Sequence, residues 1–293
     1  MTNLKNIPAS VKGRLFNLAQ KQKRPFQELL QYYCMERFLF RLSESSYKDR
    51  FILKGALLFK VWDIADSRAT LDIDTLAKTS NSLESTISIV KELCERIPSV
   101  DDGIIFSPTS ISGEVMQLQR EYEGVRIRFK AQLGSARIPM QIDIGFGDIV
   151  TPFPDDIEYP TLLDLPAPKL KAYPPQTVMA EKIHTMVEKG DSNSRIKDYY
   201  DVWLLFRQTG ISLSSLRLAL LRTFKTRGMD FDLSLAISAI EQYAKRSQTQ
   251  ALWEQFKRKE LPEAHHYDSF QDLARDLLGS LVKELTKNES SSM

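Results

Sequence analysis

The sequence predicts an α+β fold, in which a small mixed sheet with helices is followed by a C-terminal helical bundle. Two stretches, 122–131 and 138–146, alternate apolar and polar residues around a glycine-containing turn, which predicts a β-hairpin. Beyond residue 175 no alternating stretch occurs, and apolar residues recur at helical spacing. Prolines crowd the interval between these halves, which predicts a linker that breaks both helices and interior strands.

These features divide the 293 residues into an N-terminal helical arm (1–48), a core (49–160) and a C-terminal helical domain (161–293). The arm contains two helical patterns of apolar residues, the first after Pro8 and the second after Pro25. The basic cluster between them, at 21–24, can contact an RNA backbone or can be a solvated helix end.

The composition is that of an ordinary globular protein, with 42% hydrophobic and 27% charged residues. The chain has no long uncharged apolar run and no signal-peptide core, so we expect a cytoplasmic protein without membrane contact. A formal net charge of +2 excludes a polybasic nucleic-acid binder, and any such recognition must come from a local patch. The only cysteines, Cys34 and Cys94, are expected to be buried, reduced thiols.

The segment Leu71-Asp72-Ile73-Asp74 places two carboxylates two residues apart. In an extended strand Leu71 and Ile73 would enter the core, while Asp72 and Asp74 would project together from the other face. Like charges this close repel unless they are neutralised, and hard divalent cations such as Mg²⁺ take carboxylate oxygens as ligands. The pair therefore predicts a metal site, although exposed strands and turns also carry such pairs.

A glycine turn precedes this pair, at Lys54-Gly55-Ala56. Glycine permits close backbone approach, and a helix starting here, over 57–62, would offer free amides to a phosphate. Arg68 lies between this helix and the aspartates. Its guanidinium can bind a triphosphate through two hydrogen bonds, or it can form an ion pair with Asp66 or Asp63.

The predicted hairpin supplies a third carboxylate. With Met140, Ile142 and Ile144 inside, Gln141 and Asp143 face outward, so the hairpin can bring Asp143 beside the aspartate pair. Three carboxylates on neighbouring strands suit two-metal phosphoryl transfer, and Asp143 is the predicted third ligand. The alternatives are that Asp143 is a surface residue at a strand end, or that Asp148 takes its place.

The basic face of the first hairpin strand also has two interpretations. Arg126, Arg128 and Lys130 alternate with Val125, Ile127 and Phe129. The basic residues can form a platform for a substrate, but any exposed sheet face shows the same alternation.

The helical half contributes Lys182, Asp198 and Asp201. Lys182 lies near a buried apolar stripe, where a lysine is costly unless its ammonium reaches a partner or extends to solvent. Asp198 and Asp201 lie three residues apart and can share one helix face, although an aspartate in a first helical turn also favours the helix dipole. Asp201 is followed directly by an apolar run, 202–206, where a carboxylate usually has a partner.

Taken in order, four motifs resemble those of the AbiEii/MenT family of toxin nucleotidyltransferases, within the superfamily related to DNA polymerase β. The motifs are the stretches 51–60, 67–78, Ala180-Glu-Lys-Ile-His-Thr185 and Arg195-Ile-Lys-Asp-Tyr-Tyr-Asp201, and they cover roughly 45–210. The resemblance implies a polymerase β-like core and a nucleotide-binding group formed by Lys54, Gly55, Ala56, Arg68 and Asp198. It also implies catalytic roles for Asp72, Asp74, Lys182 and Asp201, with Lys182 against the nucleotide phosphates.

The same resemblance implies a Mg²⁺- or Mn²⁺-dependent toxin that transfers NMP from an NTP to RNA, at the tRNA 3′ end, and so blocks translation. Its partners would be the NTP, RNA and a cognate antitoxin, with a role in phage defence. The alternatives are transfer to a small molecule or a protein hydroxyl, and a non-catalytic nucleotide-binding module. Family members commonly have Gly-Gly or Gly-Ser where this chain has Gly55-Ala56, which removes a serine hydroxyl contact. Thr70 occupies a position that carries a phosphorylatable hydroxyl in relatives.

Overall fold

The computed structural model describes residues 6–117, 123–261 and 267–286. Contacts divide the chain into two compact units. The first comprises Met1–Val61, Thr70–Gly147 and Asp156–Ala172, and the second comprises Trp62–Ala69, Asp148–Asp155 and Tyr173–Met293. The division of the chain into three domains, 1–48, 49–160 and 161–293, remains a prediction.

The first unit is built from four helices and a seven-stranded sheet, counted over the described residues. Its helices are α1 (Ile7–Gln22), α2 (Phe26–Ser43), the single turn α3 (Leu58–Val61) and α4 (Leu83–Glu95). Its strands are β1 (Phe51–Lys54), β2 (Ile73–Ala77), β3 (Ile104–Gln117), β4 (Glu123–Leu133), β5 (Ala136–Phe146), β6 (Asp155–Glu158) and β7 (Lys169–Ala172).

The sheet is mixed, with strand order β3-β4-β5-β2-β1-β7-β6. Strands β3, β4 and β5 form an antiparallel meander, β5 then pairs in parallel with β2, and β2 pairs antiparallel with β1. The predicted hairpin is confirmed, because Leu133 pairs with Ala136 around a turn in which Gly134 has a positive φ of 57°. The predicted alternation is confirmed as well, since Val125, Ile127 and Phe129 are buried.

Helix α2 packs on the apolar face of this meander. The Phe38 ring lies 5.5 Å from that of Phe106 and 5.2 Å from that of Phe129. A buried ion pair adds a polar anchor, because Arg41 donates to both carboxylate oxygens of Asp102, at 2.7 and 3.2 Å. Such a pair specifies one arrangement of helix and strand, since loss of either partner leaves a buried charge.

The proline-rich interval corrects one expectation. It was predicted to be a linker without strands, but β6 and β7 lie within it and extend the sheet beyond β1. The prolines flank these two strands and lie in neither, so every ladder amide in them is retained. Four-residue strands between prolines are too short to show a period-two pattern in the sequence.

The second unit is helical. It contains α5 (Pro175–Lys189), α6 (Ile196–Gln208), α7 (Leu213–Thr226), α8 (Leu233–Lys245), α9 (Thr249–Glu260) and α10 (Phe270–Thr286). Aromatic residues fill its core: Tyr199 stacks on Tyr243 at 4.5 Å, and Trp253 and Phe270 are buried. The helices predicted in this region are confirmed, whereas a separate C-terminal bundle stays a prediction. No helix among the described residues combines the length and apolar character needed to span a membrane.

The cysteines Cys34 and Cys94 are free and buried, as predicted. Burial raises the pKa of the Cys94 thiol to about 12. The thiol is therefore protonated and unreactive at neutral pH.

His184 on α5 is fully buried against Phe224, at a ring distance of 4.9 Å. Neither ring nitrogen has a hydrogen-bond partner among the described residues. Burial, and to a lesser degree the charge of Arg227, lowers the pKa of His184 to about 4. The folded protein therefore holds this imidazole neutral at neutral pH.

We expect His184 to make the stability of the protein depend on pH. The folded form resists protonation down to a pKa of about 4, whereas the unfolded chain takes up the proton near the ordinary value of 6.5. Stability is therefore full above pH 6.5 and falls as the pH drops toward 4, by about 2 kcal/mol between pH 7 and pH 5. Chemical denaturation at both pH values measures this difference. A His184→Phe variant should lose that part of the slope, and an unchanged slope would contradict the assignment.

Gly55, between β1 and α3, has a positive φ of 77°. A Cβ atom built on it would lie 2.2 Å from Oδ2 of Asp74, far inside van der Waals contact. Two separate constraints thus require glycine here: the backbone conformation and the close approach of an aspartate on the neighbouring strand.

Gly55→Ala should therefore destabilise the protein by more than the backbone conformation alone explains. Gly228 is a matched control, because it has a φ of 74° with nothing within 4 Å of the added Cβ. We expect Gly228→Ala to cost about 1 kcal/mol and Gly55→Ala about 1–3 kcal/mol more, measured by chemical denaturation. Equal losses of stability in the two variants would show that Asp74 moves away from the added Cβ atom at little cost in free energy.

Candidate functional site

Three carboxylates meet where β2 and β5 run side by side. Asp74 on β2 pairs with Asp143 on β5, and Asp72 immediately precedes β2. Ligand oxygens of Asp72, Asp74 and Asp143 lie within 4.8 Å of one another, and all three residues are partly buried. The structure therefore brings the three residues together as expected. The alternative residue Asp148 belongs to the other unit, where it accepts hydrogen bonds from Arg227 at 2.8 and 3.0 Å.

This cluster fits a hard divalent cation. Oxygen ligands about 2.1 Å from a Mg²⁺ ion lie within about 4.2 Å of one another, so small side-chain rotations would close the observed spacing. Three carboxylates at this distance repel one another in the absence of a positive charge. The donor set and its spacing can therefore hold a cation of this class.

Arg126 on β4 lies beside this cluster. Its guanidinium donates to both oxygens of Asp143, at 2.7 and 2.5 Å, across the antiparallel register of β4 and β5. The hydrogen bond to Asp143 raises the pKa of Arg126, which stays charged. Arg126 was considered as part of a substrate platform, but here it orients Asp143 and offsets part of the negative charge.

Asp72 is held by its own loop. The Thr70 hydroxyl donates to Asp72 Oδ1 at 2.7 Å, and Tyr32 on α2 accepts from the Thr70 backbone amide at 3.1 Å. Leu71, between these residues, is 65% exposed, so the prediction that it enters the core was wrong. The reason is that β2 begins only at Ile73, and the strand alternation does not extend back to Leu71.

A buried glutamine ties this loop to β5. The Gln31 side-chain amide donates to the carbonyl of Leu71 at 3.2 Å and to the carbonyl of Pro139 at 3.0 Å. It thus links the residue before Asp72 to the strand that carries Asp143. Sequence reasoning missed Gln31 and Tyr32, and the available signal was a polar residue inside the apolar run of α2.

The glycine turn differs from the prediction in the helix that follows it. Gly55–Leu57 is a 3-10 turn and α3 is a single turn, whereas a helix over 57–62 was predicted. A macrodipole from so short an element is small, which weakens the expected attraction of a phosphate to its start. Lys54 lies opposite Asp74 in the β1–β2 register, so the turn does border the carboxylates.

The remaining predicted residues form an ion-pair cluster inside the second unit. The Lys182 ammonium donates to Asp198 at 2.7 Å and to Asp201 at 2.8 Å. Arg68 donates to both oxygens of Asp201, at 3.1 and 3.0 Å, and Arg195 lies 2.8 Å from Asp198. Three cations thus surround two buried carboxylates, and the half-exposed Glu260 lies 3.9 Å from Arg68, so the charges of the cluster balance.

The pKa shifts follow from this arrangement. Burial alone would raise the pKa of Asp198, but Lys182 and Arg195 outweigh it and lower the pKa to about 2. Burial would likewise lower the pKa of Lys182, but Asp198 and Asp201 outweigh it and raise that pKa. Asp198 and Lys182 are therefore both charged at neutral pH.

This cluster resolves three alternatives. Arg68 pairs with Asp201, so the predicted alternative of an ion pair with Asp66 or Asp63 was wrong. Lys182 reaches two partners and does not extend to solvent. The expectation that Asp201 must have a partner is confirmed. The predicted site residues thus form two groups, one within each unit, and their joint action stays a prediction.

Comparisons with known proteins identify the fold and the family of the chain. Two crystal structures from Helicobacter pylori share the fold: JHP933, and a protein described as a candidate nucleotidyltransferase. Each has a TM-score of 0.53 and 14% sequence identity over 91% of this chain, with 95% and 98% of the other chains covered, respectively. No curated protein sequence matches the chain. The family described as "Nucleotidyl transferase AbiEii toxin, Type IV TA system" matches residues 37–276, and the chain therefore belongs to the AbiEii nucleotidyltransferase toxin family.

Proposed function

We propose that this toxin is a divalent-metal-dependent enzyme that transfers NMP from an NTP to RNA, with the tRNA 3′ end as the acceptor. The observation that carries the proposal is the cluster of Asp72, Asp74 and Asp143 in a chain of nucleotidyltransferase family membership. The choice of acceptor is based on the resemblance of the sequence motifs to the family. On the same basis we propose that the enzyme blocks translation, acts in phage defence and is controlled by an antitoxin. We also propose that residues 49–160 form a polymerase β-like core and that residues 161–293 form a C-terminal helical bundle.

Asp72, Asp74 and Asp143 would hold Mg²⁺ or Mn²⁺, which supplies charge neutralisation and an activated acceptor hydroxyl. The acceptor hydroxyl would attack the α-phosphorus and form a phosphodiester bond, the α–β phosphoanhydride bond would break, pyrophosphate would leave, and the hydroxyl proton would pass to solvent. Such transfer depends mainly on positioning and electrostatics. Thr70 holds Asp72, and Arg126 holds Asp143, in fixed orientations before substrate arrives.

The nucleotide would be bound by backbone amides at Gly55 and Ala56, together with Lys54. Ala56 has no hydroxyl, so phosphate recognition at this turn rests on main-chain donors and on the Lys54 charge. In the second unit, Arg68, Lys182 and Asp198 would contribute to nucleotide binding. Asp201 would orient Arg68 and Lys182.

Incubation with each α-labelled NTP, Mg²⁺ and total tRNA tests the proposal. We expect label in tRNA, its loss when Mg²⁺ is chelated, and a reduction of at least about 100-fold in Asp72→Asn. Asp156→Asn is a matched control, because Asp156 lies on β6 of the same sheet with an 81% exposed side chain. Label in a metabolite or in the protein would contradict RNA as the acceptor. No transfer with any NTP would indicate a non-catalytic nucleotide-binding module.

Lys182 needs a test that separates catalysis from stability. Lys182→Ala leaves Asp198 and Asp201 with one cation fewer and should cost about 3–5 kcal/mol of stability. Adding Asp198→Asn removes one of the two charges and should restore much of that loss. If Lys182 acts on the nucleotide, the double variant regains stability but transfers far less nucleotide than Asp198→Asn alone. Equal transfer by the double variant and Asp198→Asn would assign Lys182 a structural role only.

A further inference from the structure

The N-terminal segment has an unusual distribution of charge. The first 27 residues contain six lysines and arginines and no acidic residue before Glu28. Because the whole chain has a formal net charge of only +2, the rest of the molecule is net acidic. The positive charge is therefore concentrated in this segment.

Helix α1 displays most of this charge on its outer surface. Val11, Leu15 and Ala19 form its buried stripe. Its exposed arc contains Lys12, Arg14, Phe16 and Lys21, and the exposed Lys23 caps the end of the helix. We call these five residues the α1 basic face.

The basic side chains of this face lack acidic partners in the described part of the chain, where no ion pair involves Lys12, Arg14, Lys21 or Lys23. The strand β4 differs in this respect. There Arg126 pairs with Asp143 at 2.5 Å and Arg128 with Glu114 at 2.9 Å. Unpaired cations attract a polyanion more strongly than cations already neutralised by carboxylates.

Phe16 adds a second feature that suits a nucleic acid. Its ring is 48% exposed and packs edge-on against Phe26 at 5.8 Å, so it is supported on one side and open on the other. An exposed aromatic ring among lysines and arginines can stack on an unpaired base, while the cations contact the backbone.

The α1 basic face also leads toward the carboxylate cluster within the first unit. Arg24, the second residue after α1, lies 5.2 Å over the Tyr32 ring, and Tyr32 accepts from the Thr70 amide. Thr70 in turn donates to Asp72. A strand lying along α1 would thus approach the segment that positions Asp72.

We propose that the α1 basic face binds the backbone of the acceptor RNA, with Phe16 stacking on a base. This inference rests on the proposed function, because it assigns a binding surface for the RNA that receives the nucleotide. Recognition of this kind is electrostatic and independent of sequence, so it would hold the RNA while the catalytic residues select its 3′ end.

The test compares two variants with equal loss of charge. The α1 variant carries Lys12→Gln, Arg14→Gln, Lys21→Gln and Lys23→Gln. The control variant carries Arg217→Gln, Arg222→Gln, Lys225→Gln and Lys245→Gln, all at exposed positions of α7 and α8. Fluorescence anisotropy with labelled total tRNA measures binding over a range of salt concentrations, and circular dichroism confirms that each variant folds.

We expect the α1 variant to bind tRNA about 10- to 100-fold more weakly, with the slope of log K against log salt reduced by about 3. The control should keep the wild-type slope. Phe16→Ala should weaken binding with little change in slope, since stacking releases no counterions. In the transfer assay the α1 variant should raise KM for tRNA and leave KM for the NTP unchanged.

The outcomes separate this inference from the proposed function. Equal losses in the α1 and control variants would show a general effect of net charge and overturn the inference, as would an unchanged affinity in the α1 variant. If the wild-type protein transfers no nucleotide to RNA, the proposed function fails. The anisotropy measurement then still decides whether the α1 basic face binds RNA.

Discussion

Mutual repulsion among three carboxylates within 4.8 Å is the constraint that the first unit must accommodate. The surrounding contacts do so by fixing each carboxylate in place. Arg126 grips Asp143 from the neighbouring strand, the Thr70 hydroxyl holds Asp72, and the bare backbone of Gly55 makes room for Asp74. None of these supports removes all of the negative charge, so the cluster can still accept a cation.

The second unit also contains closely spaced carboxylates, but there they are paired with lysine and arginine side chains. Its core holds two aspartates, Asp198 and Asp201, at almost no exposure, and places three cations against them. Ion pairs so deeply buried gain little net stability, because desolvation offsets their attraction. A chain that keeps such a cluster therefore holds fixed, paired charges in its core with little gain in stability.

The sequence revealed those parts of the site that periodicity controls. Alternation along β4 and β5 placed Asp143 on the outward face, and the parallel pairing of β2 with β5 then put it beside Asp74. Asp201 was recognisable because a charge next to an apolar run needs a partner. These inferences succeed because one local rule decides which way each side chain points.

The remaining supports depend on contacts between distant segments, which no local pattern encodes. Gln31 joins Leu71 to Pro139, and the partner of Arg68 lies 133 positions further along the chain. The short strands β6 and β7 escaped detection because four residues do not show a period. Leu71 was misplaced because the alternation was extended beyond the true start of β2.

The long sequence separations in this sheet have a consequence for how the protein is made. Strand β2 pairs with β5, whose residues follow about 70 positions later, and α2 bonds through Glu36 and Arg37 to the backbone at Leu162 and Pro166. A chain still emerging from the ribosome lacks these contacts until about half of it has been synthesised. Shorter nascent fragments therefore lack the assembled carboxylates, and the metal-binding geometry arises late relative to the strand that carries Asp74.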